Sequence, residues 1–216
     1  MKYKIDLHTH SILSPDGGLS ERDYRMLLER KVLDCIAITD HNDIAFAKEM
    51  QGKLGDKIII GEEVMTKDGE IIGLFLKEKL RACLSAKQTV ESIKSQHGLV
   101  YIPHPFETLR RGINEQVFKS IMEAIDIVEV FNGRSMQPST RIMANVYAQE
   151  NNFGKAASSD AHCRMGIGKT YSSMQALPDV HTLKTLLQTG TLHEARAPFL
   201  AFLCPKLNWI KKLFNL

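Results

Sequence analysis

The sequence predicts an α/β fold built on a parallel sheet, either open or closed into a barrel. Short apolar runs such as Cys35–Ile38 and Leu99–Ile102 alternate with longer segments of helical periodicity. These runs are apolar at every position, which is typical of strands that are buried on both faces of a parallel sheet. Polar clusters follow the runs directly, at the edge where parallel α/β folds place their ligand sites.

The individual elements follow from periodicity and from end signals. Strands are predicted at residues 3–10, 35–38, 57–60, 71–76, 99–102, 127–131 and 155–158. Helices are predicted at residues 20–30, 42–54, 85–97, 114–124, 139–151 and 179–189, with Ser20 and Ser85 as N-caps. The Asp68-Gly69 pair predicts a hairpin turn between two strands.

Composition is that of an ordinary globular protein. The 216 residues suffice for one sizeable core, and 44% are hydrophobic and 25% charged. A formal net charge of +3 does not by itself indicate a nucleic-acid-binding protein. The four cysteines form no Cys-x-x-Cys pair, which argues against a thiolate zinc site and a disulfide framework. With no signal-peptide or membrane-spanning pattern, we expect a cytoplasmic protein.

Two histidines end the first strand. His8 and His10 are separated by one residue, so on a strand their side chains point the same way and can reach one cation. Imidazole suits Zn, Fe, Cu and Ni among the transition metals. A pair of solvated histidines would have the same spacing, so the interpretation depends on the clusters that follow.

Similar clusters follow the later strands. Five of the eight histidines stand at predicted strand ends, with acidic residues beside them. The clusters are His8-Thr9-His10 with Asp16, Thr39-Asp40-His41, Gly61-Glu62-Glu63, His104-Pro105 and Ser159-Asp160-Ala161-His162. The strand ends of a parallel fold converge, so this set predicts a centre that holds several metal ions. The remaining histidines, His97, His181 and His193, are interpreted as ordinary surface or core residues.

These motifs resemble the polymerase and histidinol phosphatase (PHP) family of metal-dependent phosphoesterases. The resemblance covers roughly residues 1–171. It implies a distorted (β/α)7 barrel of the TIM type, formed by residues 1–195, with a multinuclear metal site at the carboxyl ends of the strands. A full eight-unit barrel typically takes ~250 residues, which agrees with one unit fewer here.

The resemblance also implies a ligand set for two or three divalent ions. His8, His10 and Asp160 would hold the first ion, and Glu63 would bridge it to a second ion that His104 also binds. The third ion would be held by Asp16, His41 and His162. Among these ligands, Glu63, Asp160 and His41 are the residues on which catalysis is expected to depend.

One position departs from the family pattern. Many relatives carry a histidine in the strand after the bridging glutamate, where this chain has Glu70 before Ile71-Ile72-Gly73. Glu70 is therefore either a substitute ligand or a sign that the second ion is looser or absent. Asp40 and Glu129 are expected to orient ligand histidines or an arginine.

Imidazole and carboxylate ligands without thiolate suit Mn, Fe or Zn. A bridging carboxylate holds two ions at ~3.5–4 Å, the separation used for displacement at phosphorus, and such ions lower the pKa of water toward ~7. Arginine is the preferred partner of phosphate. Arg111, Arg134 and Asn132 follow strands at the metal end and are the predicted substrate-binding residues, with Arg110 as the spare candidate.

The last residues, 196–216, form a separate apolar and basic tail. A helix from Pro205 would place Leu207, Ile210, Leu213 and Phe214 on one face. This pattern fits a helix at a membrane interface. Packing of the tail on the barrel or on a second subunit is the alternative, and we prefer it.

The sequence thus predicts a hydrolase that acts on a small phosphorylated metabolite or nucleotide. An exonuclease-like phosphodiesterase is the nearest alternative, although weak net charge argues against a long nucleic acid. An amidohydrolase fits the clusters at residues 39–41 and 61–63 poorly. A metal-bound regulatory domain without turnover is the non-enzymatic alternative, which the intact ligand set disfavours.

Overall fold

A computed structural model describes residues 2–214 of the chain. Its nine strands are β1 (Tyr3–Asp6), β2 (Cys35–Ile38), β3 (Ile58–Thr66), β4 (Gly69–Leu74), β5 (Leu99–Ile102), β6 (Ile127–Asn132), β7 (Gly154–Ser158), β8 (Tyr171–Met174) and β9 (Thr191–His193). Its α-helices are α1 (Glu21–Glu29), α2 (Ala45–Leu54), α3 (Ala86–Ser95), α4 (Glu115–Ile121), α5 (Pro138–Glu150), α6 (Leu183–Thr189) and α7 (Cys204–Leu213).

All nine strands belong to one mixed sheet with the order β7-β6-β5-β4-β3-β2-β1-β8-β9. Strands β1, β2 and β3 pair in parallel, as do β5, β6 and β7. Strand β4 runs antiparallel to both of its neighbours, so the hairpin predicted at Asp68-Gly69 is confirmed. The sheet therefore joins two parallel halves through one reversed strand.

The sheet curls into a nearly closed barrel. Ala157 in β7 donates its N–H to the Ser172 hydroxyl of β8 at 2.9 Å. Beyond the strand ends, the Asp160 N–H donates to the His8 carbonyl and the His10 N–H to the Ala161 carbonyl, both at 2.9 Å. These bonds join the segment after β7 to the segment after β1, which brings the first and last metal motifs together.

The structure has a nine-stranded mixed sheet rather than the predicted seven strand–helix units. Strand β8 runs antiparallel to β1, strand β9 runs antiparallel to β8, and neither strand was predicted from the sequence. Strand β8 reads Tyr-Ser-Ser-Met and β9 has three residues, so neither carries the continuous apolar run of a buried strand. Their pairing with β1 and with each other stabilises them, which local sequence does not reveal.

Two hydrophobic clusters hold the layers together. One packs the strands against helices α1 to α5, with Tyr24, Met50 and Phe118 fully buried. The other consists of buried residues from strands β1 to β8 together with Leu183 and Leu187 of α6. Because its members come from strands around the sheet, this second cluster fills the barrel interior and supports the strand ends above it.

The tail packs on the barrel, as preferred from the sequence. A 3₁₀ turn at Phe199–Leu203 leads into α7, and Cys204 forms a disulfide with Cys163 in the loop after β7. The described residues thus contain one disulfide rather than a disulfide framework, and Cys35 and Cys83 are free thiols. The pairing joins residues 41 positions apart, which spacing cannot predict. No helix of the described part is long and apolar enough to cross a membrane.

Candidate metal centre

Nine acidic and histidine side chains meet at the carboxyl ends of the strands. They come from the segment after β1, from the segments that follow β2, β5 and β7, and from the β3–β4 hairpin. The residues are His8, His10, Asp16, His41, Glu63, Glu70, His104, Asp160 and His162. Eight of them are the ligands that the sequence motifs predict, and the ninth is Glu70.

Glu63 lies at the middle of the group. Its Oε2 is 3.3 Å from His8 Nε2, 3.2 Å from His10 Nε2 and 3.3 Å from His41 Nδ1. Its Oε1 is 3.1 Å from the Nε2 of His104. The two carboxylate oxygens thus face different histidines, which is the arrangement that a carboxylate bridging two cations requires.

Asp160 and Asp16 mark two further parts of the centre. Asp160 Oδ1 lies 3.7 Å from His8 Nε2 and 3.4 Å from His10 Nε2. Asp16 Oδ2 lies 3.1 Å from His162 Nε2, and its Oδ1 is 3.7 Å from His41 Nε2. The structure therefore brings Asp160 to the two histidines of the first motif, and Asp16 to His41 and His162.

Glu70 reaches the same centre from β4. Its carboxylate oxygens lie 3.9 Å from His41 Nδ1 and 3.7 Å from His104 Nε2. Burial, together with the neighbouring Glu63 carboxylate, raises the pKa of Glu70 to about 8. The position where many PHP proteins have a histidine is thus occupied here by an acidic oxygen donor.

The donor set fits divalent cations. Four overlapping groups of three or four side chains each have their ligand atoms within 4.8 Å of one another. Two ring nitrogens, His41 Nδ1 and His104 Nδ1, are buried with no hydrogen-bond partner among residues 2–214. Buried histidines and carboxylates at this density need a cation or protons to balance their charges, and imidazole with carboxylate suits Mn, Fe or Zn.

The close packing of these histidines and carboxylates also shifts their pKa values. Burial acts against the charge of every group, but opposing neighbours outweigh it at several positions. Glu63 and Glu129 raise the pKa of His8 to about 10, and His8 in turn lowers that of Glu129 to about 2. At His162, burial, His10 and Arg134 keep the pKa well below its ordinary value. His162 is therefore neutral, as a metal-ligating imidazole must be.

Glu129 supports the ligands from below. Its Oε1 faces His8 Nδ1 at 3.2 Å and accepts a hydrogen bond from the Tyr101 hydroxyl at 2.7 Å. Its Oε2 accepts from the His104 backbone N–H at 2.6 Å. One carboxylate thus fixes the ring of His8 and the backbone of His104, the orienting role that the sequence analysis expected. Asp40 differs, because it binds the Ser11 N–H and hydroxyl rather than a ligand.

Glu62 and Glu63 point to opposite sides of β3. The Glu62 carboxylate accepts a hydrogen bond from the Leu80 N–H at 2.8 Å, outside the metal centre. Burial raises the pKa of Glu62 to about 7. The strand alternation places Glu63, and not its neighbour, among the histidines.

Two arginines stand above Asp160. Arg110 donates to Asn132 Oδ1 at 2.8 Å and contacts Asp160 Oδ2. Arg134 lies 3.4 Å from Asp160 Oδ1 and 3.0 Å from His162 Nδ1, and its Nε is buried without a partner. Arg111 lines the same cavity, but its Nη1 lies 3.1 Å from the sulfur of Met65 and its side chain is exposed.

The side-chain amide of Asn132 makes all of its hydrogen bonds to other protein groups. Its amide nitrogen donates to Glu129 at 2.8 Å and to Asp160 at 3.2 Å, and its oxygen accepts from Arg110 and from the Arg134 N–H. With both donors and its acceptor used, Asn132 has little capacity left for a substrate. The structure places it under the arginines as their support.

Backbone geometry explains part of what the sequence could not show. His104 and Asp160 have φ angles of 28° and 52°, and Arg111 has 54°. Such left-handed residues are uncommon outside glycine and concentrate at functional sites. At Arg111 this conformation follows a 3₁₀ turn at Thr108–Arg110, so the two adjacent arginines point in different directions. Two arginines in a row gave no local signal for which one faces the metals.

Comparison with known proteins gives sequence relatives first. No protein-family model matches the chain. An uncharacterised protein of Methanocaldococcus jannaschii is 37% identical over 142 residues, which cover 60% of this chain and 81% of that protein. A second uncharacterised protein of the same organism is 33% identical over 183 residues, covering 81% of this chain and 71% of the relative. These identities place the three proteins in one family.

Solved structures with the same fold are more distant. A two-domain Bacteroides vulgatus protein containing a predicted PHP-like metal-dependent phosphoesterase has a TM-score of 0.69 and 18% identity over 89% of this chain. This chain covers 65% of that protein, less than two thirds of its length. Endonuclease Q of Pyrococcus furiosus has a TM-score of 0.65 and 15% identity over 89% of this chain and 58% of its own.

A Chromobacterium violaceum amidohydrolase solved with bound sulfate has a TM-score of 0.60 and 15% identity over 82% of this chain and 92% of its own. At these identities the three structures establish the fold, and the chain's own motifs supply the ligand pattern. All three proteins are named as hydrolases: a predicted phosphoesterase, an amidohydrolase and an endonuclease. The chain therefore belongs to one family with the two M. jannaschii proteins, and its fold is that of the PHP-like metal-dependent phosphoesterase and of endonuclease Q.

Proposed function

We propose that the protein is a hydrolase that cleaves phosphate esters with two or three divalent ions, of Mn, Zn or Fe. The observation that carries the proposal is the placement of Glu63. Its two oxygens face separate histidine groups, and two arginines stand beside the same centre. A carboxylate that can bridge two cations, with two arginine guanidinium groups beside it, is the arrangement that in-line displacement at phosphorus needs.

The ligand assignment within this proposal follows the distances. His8, His10 and Asp160 would hold one ion with Glu63, while His104, Glu63 and Glu70 would hold the second. Asp16, His41 and His162 would hold the third. Bound ions would supply Lewis acidity and an activated water at neutral pH. Glu70 thus serves as the substitute ligand for the histidine of other PHP proteins.

The side chains around the ions have separate roles. Arg134 and Arg110 bind the non-bridging oxygens of the phosphate and offset their charge as it shifts in the transition state. Asn132 holds Arg110 at the correct angle through its amide oxygen. Glu129 keeps His8 oriented from below, so that its Nε2 points at the centre.

The size of the cavity favours a small substrate. The cavity over the ligands has a volume of about 200 Å³. Typical ligand pockets are roughly 300–1,000 Å³, so this one accepts a phosphoryl group while the rest of the substrate lies at the mouth. Leu109, which is 87% exposed, and Arg111 line that mouth. A small phosphorylated metabolite or nucleotide is the class that fits.

The test is turnover by metal-loaded protein. Protein reconstituted with Mn²⁺ should hydrolyse p-nitrophenyl phosphate, and hydrolysis should stop when a chelator removes the metal. Bis(p-nitrophenyl) phosphate serves as the matched diester. Bound metal with no hydrolysis of either ester would contradict the proposal and would support a regulatory domain without turnover.

A nuclease is the second candidate, because endonuclease Q shares the fold. That enzyme has been solved with a 27-mer duplex whose abasic lesion lies at the active site. Here the net charge is only +3, which supplies little general attraction for a duplex. Cleavage of abasic duplex DNA or of the diester at a higher kcat/KM than the monoester would favour this candidate.

A further inference from the structure

The C-terminal helix α7 turns its polar side toward the barrel and its apolar side toward solvent. Cys204, Asn208 and Lys212 are spaced by four residues and therefore lie on one side of the helix. All three contact the barrel: Cys204 by its disulfide, Asn208 and Lys212 by hydrogen bonds to loop carbonyls. An amphipathic helix on a globular protein normally buries its apolar side, so this orientation is reversed.

The outward side is a large apolar surface. Among residues 2–214, fifteen large hydrophobic side chains are exposed, and seven of them lie between residues 199 and 214. They are Phe199, Leu200, Leu203, Leu207, Trp209, Leu213 and Phe214. Leu203, Leu207 and Phe214 follow the helical repeat and are 45%, 52% and 66% exposed. We call these seven side chains the outer face.

The docking of the helix is tight, so the reversed orientation is built into the fold. Asn208 Nδ2 donates to the Asp16 carbonyl at 3.0 Å and to the His162 carbonyl at 2.9 Å. A Cβ atom at Gly18 would lie 2.7 Å from that nitrogen, so the helix could not sit as close against a larger residue. Lys212 donates to the Gly17 carbonyl at 2.8 Å and also to the Ser14 carbonyl.

The charges around the outer face have one sign. Lys206 is exposed among these side chains and Lys211 is exposed beside them, and residues 195–216 contain no acidic residue. An apolar surface that carries lysines, with a tryptophan at its border, has the composition of helices that lie in a membrane interface. Each lysine near an anionic lipid surface contributes about 1 kcal/mol of attraction.

We propose that the outer face docks on an anionic lipid surface, with α7 lying parallel to the membrane. A second copy of the chain fits less well. A two-fold contact centred on this face would bring the lysines of both copies together with no acidic partner in either segment. The lipid headgroups instead supply the negative charge that the segment lacks.

Trp209 is the only tryptophan of the chain and reports on the contact directly. The 216-residue chain is mixed with phosphatidylcholine vesicles, with and without phosphatidylglycerol, and both Trp fluorescence and co-sedimentation are measured. A blue shift and sedimentation with the phosphatidylglycerol vesicles alone are expected. Added salt should weaken binding because it screens the lysines.

Two variants and their controls locate the surface. Leu207→Glu should reduce vesicle binding at least about tenfold, because it places a charge in the apolar contact. Ile142→Glu, at an exposed position of α5, is its control and should bind normally. The double variant Lys206→Glu, Lys211→Glu should lose the preference for phosphatidylglycerol, while Lys48→Glu, Lys87→Glu should keep it. Circular dichroism checks that each variant folds.

Three outcomes would overturn the proposal. One is no fluorescence shift and no sedimentation of the wild-type protein with phosphatidylglycerol vesicles. Another is equal binding by wild type and Leu207→Glu. The third is a wild-type dimer in light scattering that Leu207→Glu converts to a monomer, because the outer face would then be an interface between two copies.

Discussion

At the scale of single residues, Glu63 carries the most weight in the proposed centre. Glu63→Gln keeps the shape of the side chain but removes its charge and one oxygen donor. We expect loss of at least one ion per chain and a fall in kcat of at least about 100-fold, because the bridge between two cations is gone. Metal analysis, circular dichroism and turnover measure the three effects.

Glu62→Gln is the matched control, since its side chain faces the Leu80 N–H on the other side of β3. It should keep its metals and its activity. Loss of metal from Glu62→Gln with retention by Glu63→Gln would contradict the ligand assignment.

The same control makes a prediction about pH. Burial raises the folded-state pKa of Glu62 to about 7 from 4.5, so the folded state binds the proton more tightly than the unfolded state. This contribution to the free energy of unfolding is fully present below about pH 4.5 and is lost as the pH rises through about 7. Above that pH, Glu62→Gln should therefore be more stable than wild type by about 1–2 kcal/mol.

Urea unfolding of the two proteins across this range, with chelator in both samples, gives the difference. A gap between the two stabilities that stays constant with pH would show that Glu62 does not titrate in the folded protein.

The three arginines near the metal centre should differ in their effect on KM, because their guanidinium groups point in different directions. Arg110→Ala and Arg134→Ala should each raise KM about 10–100-fold, the loss of one charge-assisted contact to phosphate. Arg111→Ala should change KM less, because its guanidinium points toward Met65. Steady-state kinetics with metal content measured in parallel separates substrate binding from metal binding. A larger effect at Arg111 than at Arg110 would mean that the phosphate binds nearer the mouth.

At the scale of elements, helix α7 connects two loops of the metal centre. Asn208 binds the carbonyls of Asp16 and His162, whose side chains face each other at 3.1 Å. Asn208→Ala should weaken binding of the ion at these residues about tenfold, because both loops lose a shared support. The readout is metal stoichiometry in a titration with Mn²⁺.

Lys211→Ala is the comparison for Asn208→Ala, because Lys211 is exposed on the same helix and contacts neither loop. If both variants bound metal alike, the helix would not support the centre.

Local sequence patterns were sufficient to predict some of the helix starts but not all of the strands. Helices α1 and α3 begin directly after Ser20 and Ser85, the two predicted N-caps, and Ser85 accepts a cap hydrogen bond from the Gln88 N–H. Strands β8 and β9 were missed because their residues carry no strand pattern without a partner strand. Strand β3 extends to Thr66 because β4 pairs along its second half.

At the scale of the whole molecule, metal binding should stabilise the fold. The ligands come from segments at both ends of the chain, from His8 to His162, so bound ions join parts of the barrel that separate on unfolding. Metal at about 100 times its Kd adds about 2.7 kcal/mol. For a chain of this size the Tm should rise by about 5–10 °C. Calorimetry with Mn²⁺ and with chelator measures the shift, and equal Tm values would argue against occupied sites.

The sequence by itself determined the α/β class, the strand ends and the residues that meet there. It could do so because strand alternation and the convergence of parallel strand ends are local rules that act on each motif separately. Alternation requires Glu62 and Glu63 to point to opposite sides of one strand, and the resemblance to the PHP motifs selected Glu63 as the inward residue.

Only the tertiary structure decided the features that depend on distant contacts. It turned Arg110 rather than Arg111 toward Asp160, brought Glu70 to the histidines and paired Cys163 with Cys204. It also set the polar side of α7 against the barrel. An amphipathic pattern states that a helix has two sides, but which side is buried depends on the surface it meets, and here that surface is a row of loop carbonyls.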